Sequence, residues 1–302
     1  MGEQRFFSRV VDVTSVDRVM FPHAGITKGE LVDYYARIAE TMLEHLRDRP
    51  VAVTRYPGGL DGDGFFQKNA GSHYPGWLRR EQIPKRDGGT LDHVVVDEPA
   101  TLVYLADQGT IEFHPWLAAA DDLEHPVEMV FDLDPPDDGD VRAVRAAARH
   151  LRSLLDEVQV PSRIKTSGSA GFHVQVALDG SATFDDAADL AKAIAVTAAT
   201  RHPDQLTTEQ RKADRQGRVF LDWLRNAYGQ TSVAAYSVRA RPGAPIATPI
   251  EWDELGEVEP RRYDLRNLFR RLGQRDDPWQ VAPQPVAADQ VAADLDRLVA
   301  ED

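Results

Sequence analysis

The stretch Phe131-Asp132-Leu133-Asp134-Pro135-Pro136 places two carboxylates two residues apart, after the apolar approach Val127-Glu128-Met129-Val130. Pro135-Pro136 cannot extend a ladder, so a strand should stop there. Alternate side chains of a strand share a face, which sends Asp132 and Asp134 one way and Phe131 and Leu133 into the core. Such a pair suits Mg²⁺ or Mn²⁺, which takes oxygen ligands and keeps substrate phosphates as its remaining partners. Taken alone, Asp-x-Asp is more often a solvated strand edge. The residues downstream change that balance.

Ser167-Gly168-Ser169-Ala170-Gly171-Phe172-His173 is a Gly/Ser turn between two apolar runs. Turns of this kind expose backbone N–H groups and hydroxyls to phosphate oxygens, and His173 falls on the non-core face beside it. It is not the P-loop, because no G-x-x-x-x-G-K-[ST] occurs. Val219-Phe220-Leu221-Asp222 ends a second strand in an acid, with Arg225 three residues on. A third carboxylate from a separate strand is what a two-metal centre needs beside an Asp pair. Ser237-Val238-Arg239-Ala240-Arg241-Pro242-Gly243 is expected to put Arg239 and Arg241 on one strand face, aimed at one polyanion. Together these residues describe a phosphoryl-transfer centre whose natural reaction is nucleotidyl transfer.

The elements that must position them follow from periodicity. Thr27-Lys28-Gly29-Glu30 is a capping box, and an apolar stripe carries its helix to about Arg47. A strand is expected over 51–54 and a Gly-rich turn over 57–64, with loop over 70–92. A strand over 93–96, a helix over 99–108 and a strand over 110–114 come next. A helix over 140–157, strands over 162–166 and 172–178, and a helix over 184–200 follow the acid pair. Strands over 218–224 and 233–241 come before a helical, acidic region beyond 250 that ends in a helix over 286–300. Strands and helices mix without a βαβ rhythm, which favours α+β with antiparallel sheets.

The chain has 302 residues, 42% hydrophobic and 28% charged, and no cysteine, so disulfides and thiolate metal sites are excluded. No apolar run is long enough to span a membrane and no signal peptide is present, so the expected location is cytoplasmic. The net charge of −14 weighs against a nucleic-acid partner, yet four of the six lysines fall in or beside the stretches singled out: Lys28, Lys68, Lys165 before the Gly/Ser turn, and Lys212 in Lys212-Ala213-Asp214-Arg215. The position of the cations matters more than their sum.

The order of Asp132-Leu133-Asp134, Ser167 to His173 and Asp222-Trp223-Leu224-Arg225-Asn226 resembles the archaeo-eukaryotic primase superfamily. Arg18-Val19-Met20-Phe21-Pro22, Gly25-Ile26-Thr27-Lys28, Gly64-Phe65-Phe66-Gln67-Lys68, His114-Pro115-Trp116 and Tyr236 to Gly243 are similar to its bacterial branch, the polymerase domain of DNA ligase D. The resemblance covers about residues 10–280. It implies an RRM-like antiparallel catalytic sheet with a second sheet-and-helix lobe. It also implies a polymerase, with a possible primase activity, that adds rNTPs or dNTPs at DNA ends and short gaps. Asp132, Asp134 and Asp222 would hold two Mn²⁺ or Mg²⁺ ions. Lys165, Ser167, His173, Arg225, Arg239 and Arg241 would meet the nucleotide, Arg18 and Lys28 a 5′-phosphate, and Phe65 and Phe66 the template.

Two positions depart from the family's pattern, Arg18 where lysine is usual and Ala170 where lysine or another polar residue is frequent. Neither a ligase nor a phosphoesterase module accompanies the motifs, so the chain reads as one polymerase domain of two lobes. Its centre falls within about 110–245, its DNA-contacting part within about 10–80, and an acidic helical extension covers 285–302. Expected partners are DNA with gaps, overhangs or 5′-phosphate ends, with Ku and a separate ligase beside it. The alternatives are a non-catalytic DNA-end-bridging module on the same fold and a nucleotide-hydrolysing metalloenzyme without DNA.

Overall fold

The computed structural model describes residues 2–6, 9–136 and 140–301, with side chains from Arg9 onwards. Its strands begin with β1 (Gly2–Phe6), β2 (Arg9–Val13), β3 (Val19–Phe21), β4 (Ile26–Thr27), β5 (Pro50–Arg55) and β6 (Phe65–Gln67). They continue with β7 (Arg80–Pro84), β8 (Thr90–Val95), β9 (Thr110–Pro115), β10 (Ala118–Ala119), β11 (Asp122–Pro126) and β12 (Glu128–Asp134). The last are β13 (Ser162–Thr166), β14 (Phe172–Ala177), β15 (Leu206–Thr207), β16 (Val219–Asp222) and β17 (Pro249–Ile250). The helices are α1 (Lys28–Leu43), α2 (Pro99–Asp107), α3 (Val141–Glu157), α4 (Phe184–Arg201), α5 (Leu268–Leu272) and α6 (Ala288–Glu301). The fold is α+β with largely antiparallel sheets, as the mixed periodicity implied.

The chain divides into two compact units. The first comprises Met1–Asp121, Val233–Thr248 and Tyr263–Asp277. Its main sheet centres on β5, which pairs with β9 along one edge and with β8 and β6 along the other, while β7 extends from β8. Helix α1 opens with the expected capping box, Thr27 accepting from the Glu30 N–H and Glu30 from the Thr27 N–H. It packs against α2 and buries Leu31, Tyr34, Tyr35 and Ile38. It ends at Leu43, a turn earlier than the apolar stripe suggested.

Tyr35 joins this unit's segments through one hydroxyl, which donates to the Ile111 carbonyl (2.5 Å) and accepts from the Val238 N–H (3.0 Å). Replacing it with Phe leaves two buried backbone groups without that partner, so Tyr35→Phe is expected to cost about 1–3 kcal/mol. Urea unfolding measures this directly. A loss below about 0.5 kcal/mol would mean that water takes the hydroxyl's place.

The second unit comprises Asp122–Ser232, Pro249–Arg262 and Pro278–Asp302. Its six-stranded sheet has the order β15-β16-β12-β14-β13-β17, antiparallel except for the β15–β16 pair. Helices α3 and α4 pack on it, and α6 packs on α4. Among the described residues no helix is long and apolar enough to cross a membrane.

Three expectations are corrected. Residues 70–92 are not all loop, since β7 and β8 form a hairpin closed by a turn at Lys85–Gly89. Strand β7 buries only Ile83 and sits at a sheet edge, so its sequence carries no alternation to read. Residues 233–241 are not a strand. The segment 233–238 is buried but meets mixed partners (Phe113 O, Ala247 O, Tyr35 Oη), and Tyr236 takes a left-handed φ of 65°. The region beyond 250 is mostly irregular before α6, with only a short 3₁₀ turn at Trp252–Gly256 and the five-residue α5.

Candidate active site

Strand β12 lies between β16 and β14, and this neighbourhood builds the site. In register, Asp132 stands opposite Asp222 on one side and His173 on the other, and His173 stands opposite Lys165 of β13. Paired residues across a sheet share a face. Asp222, Asp132, His173 and Lys165 therefore form one transverse polar row, with Asp134 two residues along on the same face. Phe131 and Leu133, pointing the other way, are fully buried.

Each carboxylate already has a cationic or polar neighbour. Arg225 Nε is 3.2 Å from Asp222, His173 Nε2 is 3.3 Å from Asp132, and Arg215 Nη1 is 3.9 Å from Asp134. Among the described residues no three His, Asp or Glu side chains form a group that could hold an ion as they stand. The donor set still fits a hard divalent cation, because all three candidates are carboxylates gathered on one sheet face. Burial, then the charge of Asp132, pushes the Asp134 carboxyl up to about 7 despite Arg215. Burial also raises Asp222, with Arg225 opposing and Asp132 reinforcing the rise.

An acid raised in the folded state favours folding at low pH and loses that contribution as pH climbs through the folded value. In EDTA, the unfolding free energy should therefore fall between about pH 4 and about pH 7, relative to an Asp134→Asn variant. Mn²⁺ should flatten the difference. The Asp134 side chain is 48% exposed, so solvent will damp the slope. Denaturation midpoints across this range measure it, and parallel pH profiles for the two proteins in EDTA would contradict the assignment.

The turn after β13 is built more tightly than an open phosphate nest. Ser167 Oγ accepts from the Ser169 and Gly171 N–H groups, both at 3.1 Å, so two of the expected donors are already engaged. Gly168 takes φ 62°, and a Cβ on Gly171 would lie 1.9 Å from the Leu133 carbonyl oxygen. The turn thus presses directly on the end of β12. Lys165 is fully buried with Nζ 3.0 Å from His173 Nδ1, and Ser232 Oγ lies 3.2 Å from the same nitrogen. Lys165 supports His173 from behind rather than facing a ligand itself.

Two residues without a role in the sequence reading emerge here. The Asn226 side chain accepts from the Val130 N–H and donates to the Val130 carbonyl, both at 2.8 Å. It serves as a substitute strand residue, fixing the turn after Asp222 against β12. Arg215 donates to the Glu209 and Gln210 carbonyls and lies over the Phe220 ring at 4.3 Å, which aims Nη1 at Asp134. Neither role has a local periodic signal, because both depend on partners distant in sequence or in an irregular loop.

The remaining expected residues belong to the first unit. Arg239 and Arg241 do not share a strand face. Arg239 is half-buried against Glu112, whereas Arg241 is exposed after a tight turn in which its N–H reaches the Arg239 carbonyl. Arg18 is exposed and donates to the Pro57 carbonyl at 2.5 Å. Lys28 is buried, with Nζ 2.6 Å from Asp107 and 3.1 Å from Thr14 Oγ1. In this state its charge is neutralised by the protein. Phe65 and Phe66 are both exposed, at 46% and 47%. Strand β6 is three residues long and pairs with β5, so neither ring is enclosed.

Comparison with known proteins gives the chain's family. The family model for the LigD primase-polymerase domain matches residues 27–279. The chain belongs to the LigD primase-polymerase family. It is 35% identical to the multifunctional non-homologous end joining protein LigD of Pseudomonas aeruginosa over 282 residues, covering 92% of this chain and 33% of that one. The protein of the same name from Mycolicibacterium smegmatis is 33% identical over 269 residues, covering 88% of this chain and 35% of that one. The chain thus spans about a third of the length of the curated LigD relatives it matches. Among solved structures, the polymerase domain from Mycobacterium tuberculosis ligase D in complex with DNA superposes with a TM-score of 0.83 and 32% identity. That match covers 89% of this chain and 96% of that one. The α+β architecture is therefore that of a LigD polymerase domain.

Proposed function

We propose that this LigD-family chain is a metal-dependent, template-directed nucleotidyltransferase that adds ribo- or deoxyribonucleotides at DNA ends and short gaps during break joining or gap repair. The observation that carries this reading is the gathering of three carboxylates on one sheet face, with burial and the Asp132 charge holding Asp134 up to about 7. Asp132, Asp134 and Asp222 are the residues that would hold Mn²⁺ or Mg²⁺, in a two-ion centre. When bound, such ions offset the charge that builds on phosphoryl oxygens.

The chain's own groups supply the rest. His173 presents Nε2 on the acids' face, held from behind by Lys165 and Ser232. It and Arg225 are assigned to the triphosphate, with Ser167 shaping the adjoining turn. Arg239 and Arg241 are assigned to nucleotide binding by family resemblance. The exposed pair Phe65 and Phe66 offers a surface on which template bases stack, at about 1–3 kcal/mol per base whatever the sequence. Arg18 is assigned to a 5′-phosphate. Lys28 joins it only if the phosphate competes with Asp107. DNA ends are the proposed partner, with Ku and a separate ligase acting beside the chain in the cytoplasm.

The test is incorporation on a one-nucleotide gapped duplex with Mn²⁺, offering ribo- and deoxyribonucleotides separately, with and without a 5′-phosphate. Templated extension stimulated by the phosphate supports the proposal. DNA binding without extension would instead favour an end-bridging module, and triphosphate hydrolysis indifferent to DNA would favour a hydrolase.

A further inference from the structure

In the first unit, Glu112 of β9 is a buried acid that the proposed chemistry leaves without a role. Its two oxygens divide their partners. Oε1 accepts from Arg239 Nε at 3.0 Å and from the Ala240 N–H at 2.8 Å. Oε2 lies 2.9 Å from His114 Nε2 and 3.2 Å from Thr54 Oγ1. His114 also meets the exposed Phe66 edge to face, with ring centroids 5.3 Å apart. One carboxylate therefore holds a guanidinium, the backbone turn that carries it, and an imidazole beside the aromatic pair.

The chemistry of these contacts is restrictive. A carboxylate only accepts, so it calls for a proton on His114 Nε2 and fixes that ring's tautomer and orientation. It also takes the Nε edge of Arg239 in a charge-assisted bond, which pre-orders a side chain that would otherwise lose much rotamer freedom on meeting a ligand. Burial alone would raise the Glu112 carboxyl. The hydrogen bond from His114, the charges of Arg239 and His114, and the Ala240 N–H outweigh it and hold the group well below the usual carboxylate range. The acid thus stays charged wherever the enzyme would work.

We propose that Glu112 is a positioning residue that sets Arg239 and His114 for the incoming nucleotide. The inference rests on the reading of Arg239 as a nucleotide contact. It assigns the nucleotide affinity of Arg239 to a partner that touches no substrate, and it ties the orientation of His114 to the same acid.

The variant to make is Glu112→Gln, which keeps size but loses the charge and turns one acceptor into a donor facing His114. It should raise the nucleotide KM about tenfold or more while changing kcat far less, because the bonds lost are charge-assisted. Arg239→Ala should raise KM similarly, and the double variant should be no worse than Arg239→Ala alone, since both changes remove one coupled unit. An unchanged KM in Glu112→Gln, or effects that simply multiply, would overturn the inference, because a merely structural acid would act independently of Arg239. Wild-type incorporation is scored in parallel, so that its failure strikes the proposed function separately. In that event the same variants are compared by equilibrium binding of ATP with Mn²⁺. There, equal affinity of Glu112→Gln and wild type, or no binding by either, also overturns the positioning role.

Discussion

Asp132→Asn should lower templated incorporation by about a thousandfold or more, the scale of the several kcal/mol that a metal centre contributes to a phosphoryl-transfer barrier. It should do so without weakening the fold. Asp132 sits between Asp222 and His173 in register, and its charge helps to raise both Asp134 and Asp222. Removing that charge relieves repulsion, while the amide oxygen still offers His173 Nε2 an acceptor. The melting temperature in EDTA is therefore expected to hold or rise. Loss of activity with gain of stability is the mark of residues selected for chemistry at a cost to folding. If Asp132→Asn instead melts early and keeps its incorporation rate per folded molecule, the carboxylate row is structural and the assignment fails.

Gly171→Ala should have the largest effect on stability. The added Cβ would lie 1.9 Å from the Leu133 carbonyl oxygen, far inside contact distance, and the obstacle is backbone rather than a side chain that can swing away. Either the 167–171 turn lifts from the sheet or the end of β12 yields. Overpacking typically costs about 1–3 kcal/mol, and a backbone obstacle places this case at or above the upper end. The displaced strand end carries Asp132 and Asp134, so activity should fall with stability. Ala170, part-exposed in the same turn, is the natural comparison, and Ala170→Ser should melt near wild type. Urea midpoints for the two variants decide the matter, and a Gly171→Ala midpoint within error of wild type would show that the turn has slack.

Much of the candidate site was legible because it sits on regular strands. Alternation in β12 and an acid closing β16 are local signals, and the sheet brings them into register without any further information. The capping box at Thr27 was equally readable, since both of its bonds lie within four residues. What was not legible depends on distant partners. The segment 233–238 is apolar enough to suggest a strand, yet Tyr35, Phe113 and Ala247 satisfy its backbone from three separate places. The neutralisation of Lys28 by Asp107, seventy-nine positions away, could not be inferred from a lysine at a helix start. Glu112 escaped notice for the same reason, because its meaning lies in Arg239 and Ala240 rather than in the strand that carries it.

The transverse row of Asp222, Asp132, His173 and Lys165 has a consequence for how this sequence can change in length. Each member comes from a different strand, and strand side chains alternate, so deleting one residue within Glu128–Asp134 would turn the acids inward and Phe131 outward. A substitution removes one group from the row, whereas a single deletion would invert a whole strand against neighbours that have not moved. The turn at Lys85–Gly89 between β7 and β8 carries no such register and lies on exposed residues. Natural variants of this chain should therefore gain and lose residues freely at that turn, while β12, β14 and β16 keep their lengths even where their residues differ.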